Sequence, residues 1–290
     1  MRLPIAAALM FAASSASPAA DAPPGESRST DLDGHKIHYT NYGGAAATVL
    51  FVHGWSCDQT VWSDVAPQLA ARNVRAITVD LPGHGKSDKP RIAYSMDLYA
   101  RALDAVLRDA RVEKALLVGH SNGTPVIRQF YRLFPAKVSA LVIIDGKLRP
   151  LADAATLERF IAPLRGENYP QAAGAIIDSM VKPIADEKLR QRIKKMMLET
   201  PQHAAVSEFE ATTIPDLWTP DPINVPVLMI LAKSPMWNAE YEQFARSLAP
   251  QLEYDVWASV SHFLMMEKPR EFNDAVLAFM RKHLLLPERS

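Results

Sequence analysis

Ala115-Leu116-Leu117-Val118-Gly119-His120-Ser121-Asn122-Gly123 is the stretch on which the fold turns. Its first four residues are apolar without interruption and follow Glu113-Lys114, the pattern of a short strand covered on both faces. Residues 124–134 continue with a helical pattern, so Gly119-x-Ser121-x-Gly123 falls between a strand and a helix. In that context a Gly-x-Ser-x-Gly run makes a sharp turn that projects the serine Oγ from the sheet edge. The turn strains the serine backbone, and glycines two residues to either side leave room for it. Ser121 is therefore the candidate nucleophile, and the Asn122 N–H points at the reacting centre.

The flanking segments alternate in kind. Residues 27–32 and 36–42 flank the turn dipeptide Asp33-Gly34 and read as a β-hairpin. Strands are predicted at 48–52, 74–81, 115–118 and 138–145, with helices at 61–71, 96–110 and 124–134. From 147 to 221 the alternation stops, and helical segments dominate at 152–164, 169–180, 186–199 and 204–211. It resumes with a strand at 225–231, a helix at 238–248, a strand at 252–257 and a helix at 270–283. Near-continuous apolar strands separated by amphipathic helices predict an α/β fold. The expected sheet is eight-stranded and mostly parallel, with helices on both faces and a helical lid inserted after strand six. The core spans 21–146 and 222–290, and the lid 147–221. Open sheets of this kind place their ligands at the C-terminal edge of the strands, beneath such a lid.

Hydrophobic residues make up 48% of the 290, enough for a sizeable core. Lys+Arg and Asp+Glu both number 32, and without a basic surplus the composition argues against a nucleic-acid partner. The single cysteine, Cys57, has no partner for an intramolecular disulfide and reads as a small apolar residue rather than a nucleophile. No clustered His, Cys, Asp or Glu set suggests a metal, and no cofactor is expected. Residues 1–20 have a positive start at Arg2, a short apolar run and a small-residue region ending Ala19-Ala20. These are the marks of a cleaved signal peptide, which predicts an exported enzyme, periplasmic or secreted, with no stable membrane insertion.

Ser261-His262-Phe263 lies between the last predicted strand and the last helix. A histidine there reaches over the sheet edge to Ser121, and the order serine first, histidine last makes His262 the candidate general base. His35, His38, His203 and His283 read as structural, and His120 as a neighbour of the nucleophile inside its turn.

Together these residues resemble the α/β-hydrolase superfamily, in particular its lidded esterase, haloperoxidase and epoxide-hydrolase-like branch. The resemblance runs from about residue 33 to 285. It is carried by His53-Gly54-Trp55, Asp80-Leu81-Pro82-Gly83-His84-Gly85-Lys86-Ser87-Asp88, Gly119-His120-Ser121-Asn122-Gly123 and Ser261-His262-Phe263. It implies that the residue after His53-Gly54, Trp55, gives a second main-chain N–H to an oxyanion hole shared with Asn122. The Asp80–Asp88 run is read as a structural loop. The family's usual acid follows the strand at 225–231, but Ala232-Lys233-Ser234-Pro235-Met236-Trp237-Asn238 holds no carboxylate. Some relatives place the acid one strand earlier, which implies Asp145. Glu240 is the second choice and an acid-free Ser121–His262 pair the third. Asp145 has an alternative use, bonding to loop amides.

The leading expectation is hydrolysis of a carboxylic ester, or a related acyl substrate, through an acyl-serine. Carbon–carbon bond hydrolysis or perhydrolysis with the same residues is the alternative, as is a ligand-binding protein of this fold with feeble turnover. Epoxide and haloalkane hydrolysis are disfavoured, because those relatives carry aspartate at the position of Ser121. Met180, Met196, Met197, Met236, Trp237, Phe263, Met265 and Met266 suggest an apolar pocket for a small acyl substrate, or core.

Overall fold

The computed structural model describes residues 24–43 and 47–286; the predicted leader, 1–20, lies outside them. β1 (Glu26–Leu32) and β2 (His35–Tyr42) form the antiparallel hairpin. Asp33 and Gly34 take φ of 54° and 81°, which suits the twist of the flanking strands. The sheet continues through β3 (Thr48–Val52), β4 (Arg75–Val79), β5 (Ala115–His120), β6 (Val138–Ile144), β7 (Val227–Ala232) and β8 (Leu252–Trp257). Its eight strands run in the order β1-β2-β4-β3-β5-β6-β7-β8. β2 pairs antiparallel with β4, and every pairing from β4 to β8 is parallel.

Side chains alternate between two cores. Leu50 and Val52 of β3 face α2 (Met96–Asp109), α3 (Gly123–Leu133) and α8 (Ala239–Leu248). Val49 and Phe51 face α1 (Ala66–Ala70) and α10 (Pro269–Lys282). The period-two pattern thus covers both sheet faces with helices, as the apolar runs require. Between β6 and β7 lie α4 (Ala154–Arg165), α5 (Tyr169–Val181), α6 (Glu187–Leu198) and α7 (Gln202–Ala211).

Two local readings change. The helix expected at 61–71 is broken into a 3-10 turn, Gln59–Trp62, capped by the Asp58 side chain, and the short α1, which carries Pro67 in its first turn. Proline has no N–H to extend a helix backward and clashes with the preceding turn, so α1 begins there. A one-turn helix, α9 (Leu264–Glu267), precedes α10 and was not anticipated; Ser261 N–H donates to Glu267 Oε1 at 2.6 Å and ties its end to its start.

The loop after β4 is organised by Asp80, which is 1% exposed. Its carboxylate accepts from Gln59 N at 2.8 Å, Lys86 N at 3.0 Å and His38 Nδ1 at 2.8 Å. Burial alone would raise this carboxyl, but the His38 bond and the two amides outweigh it and hold it below its ordinary value. A depressed folded pKa contributes stability that is complete above the unfolded value, about 4, and is lost as pH falls through the lower folded value. Urea unfolding from pH 6 to 3 should therefore show a steep loss of stability in wild type and a shallower one in Asp80→Asn. The variant should start about 1–3 kcal/mol lower at pH 6. Parallel curves for the two proteins would refute this role.

Candidate active site

The site is built where β5 and β6 end in register beside β7. His120 of β5 pairs with Ile144 of β6, and Ile144 with Ile230 of β7. The ladder runs one residue further: Ser121 N–H donates to Ile144 O at 2.9 Å, and Asp145 N–H to Ile230 O at 2.9 Å. Both residues then leave in the left-handed region, Ser121 at φ 52° and Asp145 at φ 43°. Non-glycine residues hold that conformation only where their surroundings impose it. Ser121 O accepts from Thr124 N at 3.0 Å and opens α3. A side chain at Gly123 would meet Val52 O at 2.6 Å, and one at Gly54 would meet Ser121 Cβ at 2.9 Å. The His53-Gly54-Trp55 segment is thus pressed against the nucleophile's turn.

His262 reaches this edge from the loop between β8 and α9. Its Nδ1 donates to Asp145 Oδ2 at 2.6 Å. Asp145 also bonds the loop, since its Oδ1 accepts from Ala232 N and Trp237 Nε1, both at 2.9 Å. One oxygen of Asp145 thus meets the His262 ring and the other the loop after β7. Glu240 is elsewhere: it is exposed at the start of α8 and pairs with Arg149 at 2.8 Å. His120 Nε2–H donates to His262 O at 2.8 Å, and the two rings lie 4.6 Å apart. Burial, and secondarily His262, push the His120 pKa well below its ordinary value, so it serves as a neutral support. Among the described residues no hydrogen bond joins Ser121 Oγ to His262. Such bonds commonly tighten only when substrate is bound.

Among the described residues, neither the Trp55 nor the Asn122 main-chain N–H is donated to another protein group. Both residues are buried, and main-chain N–H groups of buried residues are ordinarily paired with protein or water. Cys57 is also buried in this loop, and burial pushes its thiol well above the ordinary value, which disfavours the thiolate. Of the apolar residues considered for a pocket, Phe263 and Met265 are fully buried and belong to the core against α10, whereas Met236 is 49% exposed. The helical insert contributes residues that the sequence reading did not single out: Thr200, Ala205, Glu208 and Phe209 all touch Trp55 or Ser56. Among the described residues no three His, Cys, Asp or Glu side chains converge as a metal site.

The sheet is thus mostly parallel, with a strained serine at a strand-to-helix turn and a histidine held at the end of the neighbouring strand. Residues 49–275 match the Alpha/beta hydrolase family, and the chain belongs to it. It is a hydrolase. It is 28% identical over 262 residues to the dihydrolipoyllysine-residue acetyltransferase component of the acetoin cleaving system of Pseudomonas putida, covering 87% of this chain and 69% of that one. The solved structure of Est816, described as an N-acyl homoserine lactone degrading enzyme, is 25% identical, with a TM-score of 0.73 over 87% of this chain and all of its own. A bromoperoxidase from Bacillus anthracis superposes with a TM-score of 0.77 at 21% identity, covering 88% of this chain and 100% of its own.

The contact of Gly54 with Ser121 gives a direct test of this assembly. Gly54→Ala forces the nucleophile's turn away, at a cost of about 1–3 kcal/mol. For a chain of this size each kcal/mol lowers the melting midpoint by about 2–4 °C. Calorimetry should show a drop of several degrees, accompanied by loss of turnover; an unchanged midpoint would mean that the two segments are not in contact.

Proposed function

We propose that the protein hydrolyses a carboxylic ester, or a related acyl substrate, through an acyl-serine formed on Ser121. The observation that carries this reading is the convergence at one sheet edge of Ser121, held at φ 52°, and His262, whose Nδ1–H is engaged by Asp145. Ser121 Oγ attacks the carbonyl carbon while His262 Nε2 takes its proton. Asp145 holds the imidazole in the tautomer that leaves Nε2 free to accept, and stabilises the imidazolium that forms. The carbonyl oxygen becomes an oxyanion and takes hydrogen bonds from the free N–H groups of Trp55 and Asn122, each worth about 3 kcal/mol in the transition state. His262 then protonates the leaving alcohol, activates a water, and the same steps in reverse release the acid. The description of Est816 as a lactone-degrading enzyme is consistent with an intramolecular ester as one form of substrate. Residues 1–20 are proposed to be removed on export, which N-terminal sequencing of the mature protein tests.

Ser121→Ala removes one oxygen from a turn residue and should abolish turnover of nitrophenyl esters while leaving the folding transition near that of wild type. Full activity in that variant would end the serine reading. Asp145→Asn and Glu240→Gln, compared at saturating ester, separate the two carboxylates. The first should lower kcat by orders of magnitude, because asparagine favours the wrong imidazole tautomer. The second removes an exposed pair with Arg149 and should change kcat by less than about twofold. If Asp145→Asn stays within about tenfold of wild type, a barrier change near 1.4 kcal/mol, Asp145 is not the acid.

A further inference from the structure

Both main-chain groups of Ser56, the residue after Trp55, are held by side chains of the helical insert. Ser56 N–H donates to Glu208 Oε2 on α7 at 3.4 Å, and Ser56 O accepts from Thr200 Oγ1 at 3.0 Å. Trp55 is tied to the same helix through its indole. Nε1–H donates to Ala205 O at 2.9 Å, and the ring packs on Phe209 with centroids 4.5 Å apart. Ser56 sits at φ 54°, so this turn does not take its shape from local preference. Two local bonds close it, from Cys57 N–H at 3.1 Å and His53 Nδ1–H at 2.9 Å to Gly54 O, and further contacts come from residues about 150 positions along the chain.

Glu208 is only 1% exposed, an unusual place for a carboxylate on an inserted helix. The oxygen that accepts from Ser56 also lies 3.2 Å from His84 Nε2. His84 is itself fixed, because its Nδ1–H donates to Pro82 O at 3.0 Å. The carboxylate therefore bonds the turn at Ser56 to the helical insert and lies beside the loop after β4, where His84 Nε2 makes no hydrogen bond.

We propose that Glu208 and Thr200 are positioning residues for the oxyanion donor. Gly54 O, in the same peptide as the Trp55 N–H, is held by His53 Nδ1–H and Cys57 N–H. By holding the two main-chain groups of Ser56, Glu208 and Thr200 restrain the other side of Trp55 and so limit how far that peptide can turn. The α7 end of the insert is then a fixed wall of the catalytic site and not a lid that swings open. This inference rests on the serine-hydrolase reading above. A donor held loosely costs little while substrate is a neutral ester and much when the oxyanion forms. Loss of the clamp should therefore appear in kcat and leave KM almost unchanged.

The test is steady-state hydrolysis of 4-nitrophenyl acetate by wild type, Glu208→Ala, Glu208→Gln, Thr200→Val and Ser121→Ala. Glu208→Ala and Thr200→Val should each lose about tenfold or more in kcat, a barrier change near 1.4 kcal/mol, with KM within about threefold. Glu208→Gln keeps an acceptor oxygen for Ser56 and should recover most of what alanine loses. Wild-type kcat in either Glu208→Ala or Thr200→Val overturns the proposal, as does a loss confined to KM, or a Glu208→Gln variant no better than alanine. If Glu208→Ala fails to fold cooperatively, Thr200→Val, which trims one oxygen, decides. Ser121→Ala separates the two levels. If it turns over ester as wild type does, the serine reading falls and this inference with it. If it is inactive while Thr200→Val keeps full kcat, only the clamp is wrong.

Discussion

The in-register ending of β5 and β6 beside β7 is the constraint from which the site follows. Each ladder is extended by one bond, Ser121 to Ile144 and Asp145 to Ile230, and the chain then turns left-handed at both residues. Two such turns cost on the order of 1–3 kcal/mol each, and they persist because the ladders and close packing leave no relaxed alternative. Gly123 lies against Val52 O, and a side chain at Gly146 would collide with Thr124 Oγ1. The strained geometry places a hydroxyl and a carboxylate one strand apart at the same edge. His262 needs to reach only that edge to meet Asp145. His120 holds its carbonyl from below, so position and orientation of the imidazole are set by separate bonds.

Distances alone do not make such a site, and the molecule contains its own control. Ser27 Oγ is 2.8 Å from His38 Nε2, and His38 Nδ1 is 2.8 Å from Asp80 Oδ2. By separation this row matches serine, base and acid. Ser27, however, lies in the regular edge strand β1, without the left-handed turn that lifts Ser121 out of its sheet. Asp80 already serves the Gln59 and Lys86 amides, so the row acts as a strut between the hairpin and the loop after β4. What distinguishes Ser121 is the pair of unshared amide N–H groups in buried residues beside a strained nucleophile.

The strands were legible in the sequence because their signal is local. β3 and β8 fall on the predicted residues, and β5 runs only two residues beyond its apolar stretch because the turn borrows Gly119 and His120. The 61–71 segment was misread because apolar spacing outweighed Pro67, whose effect on where α1 begins is steric. Ser121 and His262 are candidates on the strength of a motif and of chain order, both of which are patterns along the chain. Nothing along the chain points to Glu208. It is one acidic residue in a helical segment, and its burial against Ser56 and His84 depends on how the insert folds back over the sheet. The carboxylate beside His262 could be narrowed but not fixed from the sequence, because Asp145 and Glu240 both lie within reach along the chain. Only the tertiary path puts Glu240 on Arg149, out in solvent.

The insert therefore cannot be treated as an interchangeable cover on a finished catalytic core. An aromatic row runs through it from the surface: Phe160 packs edge-on to Phe209 at 5.3 Å, and Phe209 packs on Trp55 at 4.5 Å. Phe160 is exposed, and Trp55 carries the proposed oxyanion N–H. A substitution that reshapes the insert shifts Phe209, and through it the indole and the turn that follows. Binding and rate are thus coupled through the same few contacts, so specificity here is expected to change together with kcat and not through KM alone.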